Sequence, residues 1–191
     1  MNLQEAIKVV KEEYKIRERR IEEKQVIDEF GSMFRPNNLD ELNKEDFKSF
    51  LLYKKNKHWW GIARHGNEVT KDMRKLRLAL KILLDENKPL KERLDYLFQK
   101  DSPYYIHGLG KAVLTPILMV VYPMKYSVYN NRTAEGLEKV GLYPKFSISD
   151  NFSDRYIKVN KVLNSLATQN NMSLFELDVV WWKITESPYA L

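Results

Sequence analysis

The sequence predicts an all-α protein built as a single helical domain, residues 1–191. Three observations carry that expectation. Apolar residues recur at the three- and four-residue spacing of a helix face, no alternating strand pattern persists, and neither an internal repeat nor a long linker divides the chain. At 191 residues the chain has the length of one ordinary domain with a sizeable core.

The elements follow in order. A charged helix is expected from Leu3 to Glu29, with Leu3, Ile7, Val10, Tyr14, Ile21 and Val26 as an intermittent apolar stripe. The mixed charges Glu18, Arg19, Arg20, Glu22 and Glu23 read as its solvated face, and Glu22-Glu23-Lys24 lacks the second acidic residue of a nuclease site. Gly31 to Asn38 is a break. A second helical region runs from Leu39 to Tyr53, with Leu39, Leu42, Phe47, Phe50 and Leu51 inward. Thr70 to Glu86 is a third helix, basic on its outer side, and Pro89 starts a fourth that ends near Gln99. Asn131 caps a short helix closed by Gly141, and Pro144 to Asn151 is loop with an extended piece at Phe146 to Ile148. Ser153 to Gln169 is helical, and Ser173-Leu174-Phe175-Glu176 is a capping box for the last helix, with Leu174, Leu177, Val180, Trp181 and Ile184 inward.

The stretch Ser102 to Thr133 carries the densest signal. Ser102-Pro103 reads as a helix start, Gly108-Leu109-Gly110 as a tight hairpin, and Lys111 to Tyr122 as a buried helix stopped by Pro123. Free N–H groups at the start of that second helix, with Lys111, suit a phosphate, which makes Gly108, Leu109, Gly110 and Lys111 candidates for contact with a nucleic-acid backbone. A lone Gly-x-Gly before a helix is more often a close helix–helix turn with no ligand, and no longer Gly-rich phosphate fingerprint completes it here. In Lys54-Lys55-Asn56-Lys57-His58-Trp59-Trp60 a basic run meets two tryptophans, charge for phosphate and rings for stacking. Burial in the core is the competing account of those rings. Lys57, Arg64 and Arg132 are further basic candidates.

Composition narrows the classes. A formal net charge of +6 is compatible with nucleic acid or another acidic surface. With no cysteine, disulfides, thiolate catalysis and cysteine-ligated zinc are excluded. His58, His65 and His107 lack metal-ligand spacing and any evident carboxylate partner, and no Gly-x-x-x-x-Gly-Lys-Ser/Thr loop occurs, so no metal or other cofactor is expected. No apolar run is long enough to span a bilayer and the N-terminus is charged, so the expectation is a cytoplasmic protein without a membrane partner.

Two resemblances extend this reading. Gly108-Leu109-Gly110, the apolar helix after it and Tyr126-Ser127-Val128-Tyr129-Asn130 resemble the helix-hairpin-helix of DNA base-excision glycosylases. The resemblance implies phosphate binding by hairpin amides and an aspartate at the cap of the next helix that supports loss of the base. The corresponding position here is Asn130, and an amide cannot stabilise a developing cation as a carboxylate does. Pro116 within the second helix is a further departure. More of the chain resembles modules fused ahead of McrB-type, modification-dependent restriction GTPases. Gly108 to Lys111, Tyr122 to Thr133, Leu137 to Pro144 and Leu177 to Trp182 carry that similarity. It implies a sensor of modified bases in double-stranded DNA, working with a GTPase motor and a nuclease subunit, either alone or as a piece of a longer protein.

The expected function is therefore recognition of a modified base in duplex DNA by a binding domain without catalytic residues. The base would be flipped out near Asn130, whose carboxamide offers a donor and an acceptor, with Trp59, Trp60, Tyr105, Tyr126 and Tyr129 as candidate rings. Two alternatives stand beside it. One is an active glycosylase or lyase drawing its carboxylate from Asp150 or Asp154, and the other is a helical protein-interaction domain.

Overall fold

A computed structural model of the chain describes residues 1–15 and 17–186. Among them the backbone forms eleven α-helices and no strand. Where the pattern predicts one N-terminal helix there are two, α1 (Leu3–Glu13) and α2 (Arg17–Met33). The chain turns at Tyr14 because that ring folds into the core, 5% exposed, while Arg20 Nε donates at 2.7 Å to the Tyr14 carbonyl left open by the helix end. Ile21 of the expected stripe faces solvent. The predicted break also begins later than expected. Gly31 lies inside α2, where a side chain would strike the carbonyl of Val120 at 2.5 Å.

Leu39 and Leu42 lead into α3 (Lys44–Leu51), capped by the Asn43 side chain on the Asp46 N–H, and into the single turn α4 (Tyr53–Asn56). Another single turn, α5 (Gly66–Val69), precedes α6 (Met73–Leu84), which is capped by Asp72 and buries Leu76, Leu80, Leu83 and Leu84. Pro89 sits directly before α7 (Leu90–Phe98). The expected helix at Ser102-Pro103 does not form. Ser102 Oγ accepts from the Tyr104 N–H at 3.2 Å, and turns at Ser102, Tyr105 and Leu109 take up the N–H groups that a helix would use. The glycosylase-like pairing of two helices across a tight hairpin is therefore not present; only its second helix, α8 (Lys111–Val121), is.

That helix is the centre of the domain. Every residue from Val113 to Val120 is buried, as an element apolar on all sides must be. α2 lies against it, and from α2 Phe30 enters a phenylalanine cluster with Phe34 and Phe50, the rings of Phe30 and Phe34 each meeting Phe50 edge-on at centroid distances of 5.1 and 5.0 Å. α9 (Asn131–Lys139) is capped by Asn130, one residue before the expected cap. α10 (Phe152–Gln169) and α11 (Leu174–Thr185) begin with the capping boxes of Asn151 and Ser173. Pro144 to Asn151 is irregular, with no strand at Phe146 to Ile148. α9 and α1 both pack on α11, and α7 packs on α10, so the helices close into a single domain.

A guanidinium is built into this core. Arg93, 1% exposed, donates from Nη1 to the Leu83 carbonyl and from Nη2 to Tyr126 Oη, each at 2.7 Å, and pairs with Glu86 at 2.8 Å. Its partners fix the α6–α7 turn to the segment after α8.

Candidate functional site

The tryptophan turn is held from both sides. The carboxamide of Asn56, fully buried, donates to the carbonyls of Phe50 and Trp59 and accepts the N–H groups of His58 and Trp59. From α11, Asp178 Oδ2 lies 2.9 Å from His58 Nε2 and accepts from Trp59 Nε1 at 3.2 Å. His58 thus has the carboxylate partner that its sequence neighbours did not reveal. Trp59 is consequently core, 3% exposed, whereas Trp60 projects outward, 73% exposed.

Facing this turn is the loop before α8. Gly108 has φ +85°, and a side chain there would sit 2.5 Å from His65 Cβ. Gly110, the residue before the helix, has an ordinary extended backbone and open space where a Cβ would be. No acceptor among the described residues takes the N–H groups of Lys111 and Ala112. The ammonium of Lys111 lies 4.7 Å from the centre of the Tyr129 ring, and burial pushes it below the usual lysine range.

Thr115 of α8 joins the third component. Its hydroxyl donates to the Lys111 carbonyl at 2.7 Å and accepts the Tyr129 N–H at 3.0 Å, so Asn130 is delivered beside the start of α8. One residue into α9 beyond Asn131, the Arg132 guanidinium stacks 3.8 Å from the Trp182 ring centre, and its Nη1 donates to Thr185 Oγ1 at 3.0 Å.

These parts line one cleft of about 670 Å³. Its walls bring together Trp59, Trp60, Arg64, Tyr105, Gly108, Leu109, Gly110, Lys111, Asn130 and Arg132, ten of the residues singled out in the sequence. Phe98, His65, His107 and Trp182 join them without having been singled out as ligand contacts. No aspartate or glutamate lines the cleft, and Arg64, Lys111 and Arg132 have no carboxylate partner among the described residues. Lone cations gathered on a concave, ring-lined surface are suited to a planar, anionic ligand.

Three candidates lie elsewhere. Tyr126 is buried with its hydroxyl between Arg93 and Glu86, and burial raises its pKa. Tyr129 is also buried, its hydroxyl 2.6 Å from that of Tyr143, and it supports Lys111 from beneath. Neither ring reaches the cleft. Lys57 is turned away, 3.8 Å from Glu22. The alternative carboxylates are absent from the cleft as well. Asp150 pairs with Lys158 at 2.5 Å, which holds its carboxyl below the usual range, and Asp154 pairs with Lys91 at 3.0 Å. No group of three or more metal-ligating side chains occurs among the described residues, and none of their helices is long and apolar enough to cross a membrane.

No family model, curated protein or solved structure matches the chain.

Proposed function

We propose that this chain is a DNA-binding recognition domain that reads a modified base, extruded from the duplex into the cleft between the tryptophan turn, the Gly108–Lys111 loop and the start of α9. One observation supports this above the others: three cations unpaired among the described residues share with several rings a concavity that none of those residues lines with a carboxylate. The cations match phosphates, the rings match a base, and the volume suits one or two nucleotides rather than a duplex, so a base must leave the stack to enter. The absence of any lining carboxylate favours binding over base excision. The similarity to McrB-type modules adds the biological setting, a modification-dependent restriction system in which a GTPase motor and a nuclease are the partners.

Titration of labelled duplexes carrying unmodified, methylated, hydroxymethylated or oxidised bases, at several salt concentrations, tests the reading. Binding that weakens steeply with salt and is tighter for one modified duplex than for its unmodified match is the expected result. Equal, weak affinity across the panel would reduce the surface to a non-specific basic patch.

A further inference from the structure

The groups left free at Asn130 and Arg132 narrow the kind of base the cleft can hold, a step that rests on the reading just given. Asn130 caps α9 with its carboxamide oxygen, which accepts the Thr133 N–H at 3.0 Å and the Thr133 hydroxyl at 3.2 Å. Its Nδ2 has no acceptor among the described residues, and the residue lines the cleft. The sequence allows both a donor and an acceptor at this position; the fold occupies the acceptor and leaves the donor.

Its neighbours have the same polarity. Arg132 carries only donors, of which, among the described residues, Nη1 alone is engaged, by Thr185, while the guanidinium lies over Trp182. Lys111 adds an ammonium and, with Ala112, two open backbone N–H groups. Side chains able to accept are the His65 and His107 rings, the Tyr105 hydroxyl and the exposed carboxamide of Asn131.

We infer that the cleft selects a base that presents an acceptor-rich, anionic edge, a pyrimidine bearing a carboxylate, over one distinguished only by a methyl group. A carboxylate offers acceptors for the cleft's donors, the guanidinium of Arg132 and the Nδ2 of Asn130 among them, in charge-assisted bonds. A methyl group offers those donors nothing, and donors desolvated without a partner are what make a polar site reject an analogue.

The test uses the whole chain and three duplexes of one sequence, with a single cytosine, 5-methylcytosine or 5-carboxylcytosine, read by fluorescence anisotropy. The 5-carboxylcytosine duplex is expected to bind at least about tenfold tighter than the 5-methylcytosine duplex, the worth of one charge-assisted bond. Asn130→Ser and Asn130→Asp both keep a capping oxygen for α9, so folding is retained, and a thermal melt verifies it. Both lose the donor. Asn130→Ser is expected to cut the preference for the 5-carboxylcytosine over the 5-methylcytosine duplex about tenfold, and Asn130→Asp to reverse it by charge repulsion. Equal binding of the three duplexes by the wild type, or a preference that survives in Asn130→Ser, overturns the inference while leaving DNA binding in place. Failure to bind any duplex at low salt overturns the DNA reading itself, and the inference with it.

Discussion

Gly108 and His65 are packed so closely that a methyl group on the glycine would lie 2.5 Å from the histidine Cβ. Together with φ +85°, this contact makes residue 108 a structural glycine whatever the cleft binds. Gly110, two residues on, is under neither constraint. Gly108→Ala is expected to destabilise the fold by about 2–4 kcal/mol, from a left-handed backbone and an overpacked contact. Gly110→Ala is expected to cost no more than about 1 kcal/mol, the difference between glycine and alanine as a cap. Its effect should fall instead on duplex affinity, because the added methyl fills the space at the start of α8. Urea denaturation and duplex titration of both variants separate the roles; equal stability losses would remove the distinction.

Lys111 carries the second prediction. Its ammonium is unpaired, partly buried above Tyr129 and adjacent to the open N–H groups of α8. Lys111→Ala is expected to weaken binding about equally on every duplex and to lower the slope of log affinity against log salt by about 1, since a phosphate contact carries no base information. An unchanged slope would leave Lys111 as a stacked structural lysine.

Asp178 links α11 to a turn 119 and 120 residues earlier through Trp59 and His58. Asp178→Ala leaves the Trp59 indole N–H and the His58 ring without their acceptor in a buried place, a loss expected to cost about 2–4 kcal/mol. Loss of orientation at Trp59 should also loosen Trp60, so the tryptophan fluorescence of the folded variant is expected to shift toward that of exposed indole. A variant as stable as the wild type would show the pairing to be incidental.

Such distances mark the boundary of what the sequence made legible. α8 was readable because its run is apolar on nearly every side and gives out just before Pro123, and α11 because its capping box and inward residues are all local signals. The division between α1 and α2 was hidden, since it depends on where Tyr14 packs and on Arg20 reaching back to it. In each tryptophan pair one ring is buried, Trp59 and Trp181, while its neighbour, Trp60 or Trp182, opens more to solvent at the cleft, which Trp59 also borders. Adjacency in sequence could not assign them. His65 and His107 are far apart in sequence, and the fold, through the Gly108 contact, brings their loops together with ring centres 6.0 Å apart.

Glu23 gives a pH dependence. Burial pushes its carboxyl from an ordinary value of 4.5 up to about 7, with the Glu176 carboxylate adding to the rise, while the Ser173 hydroxyl and Arg20 oppose it. The folded chain therefore binds a proton between about 4.5 and 7 that the unfolded chain has released. The sign follows: the protonated form's advantage is complete below the unfolded value and is lost as pH rises through about 7. Glu23→Gln keeps an acceptor for Ser173 without the charge. It is expected to raise the melting temperature at pH 8 and leave it nearly unchanged at pH 5; a shift of equal size at both would sink the assignment.

The last prediction concerns chemistry. If the resemblance to glycosylases holds, Asn130 stands where they carry a carboxylate, and among the described residues no acidic side chain lines the cleft around it. Asp150 is paired with Lys158 and Asp154 with Lys91, away from the cleft. Without a negative charge near the sugar, an oxocarbenium-like centre loses stabilisation typically worth several kcal/mol of barrier. No base release and no strand cleavage are therefore expected from damaged or modified duplex under single-turnover conditions, with alkali used to expose abasic sites. Asn130→Asp supplies a carboxylate that still caps α9, but one of its oxygens is held by the Thr133 N–H, as the amide oxygen is now. Any activity it gains should be slight. Base release by the wild type that vanished in Asp150→Asn or Asp154→Asn would show that a carboxylate outside the cleft reaches the reacting centre, and the chain would then be an enzyme.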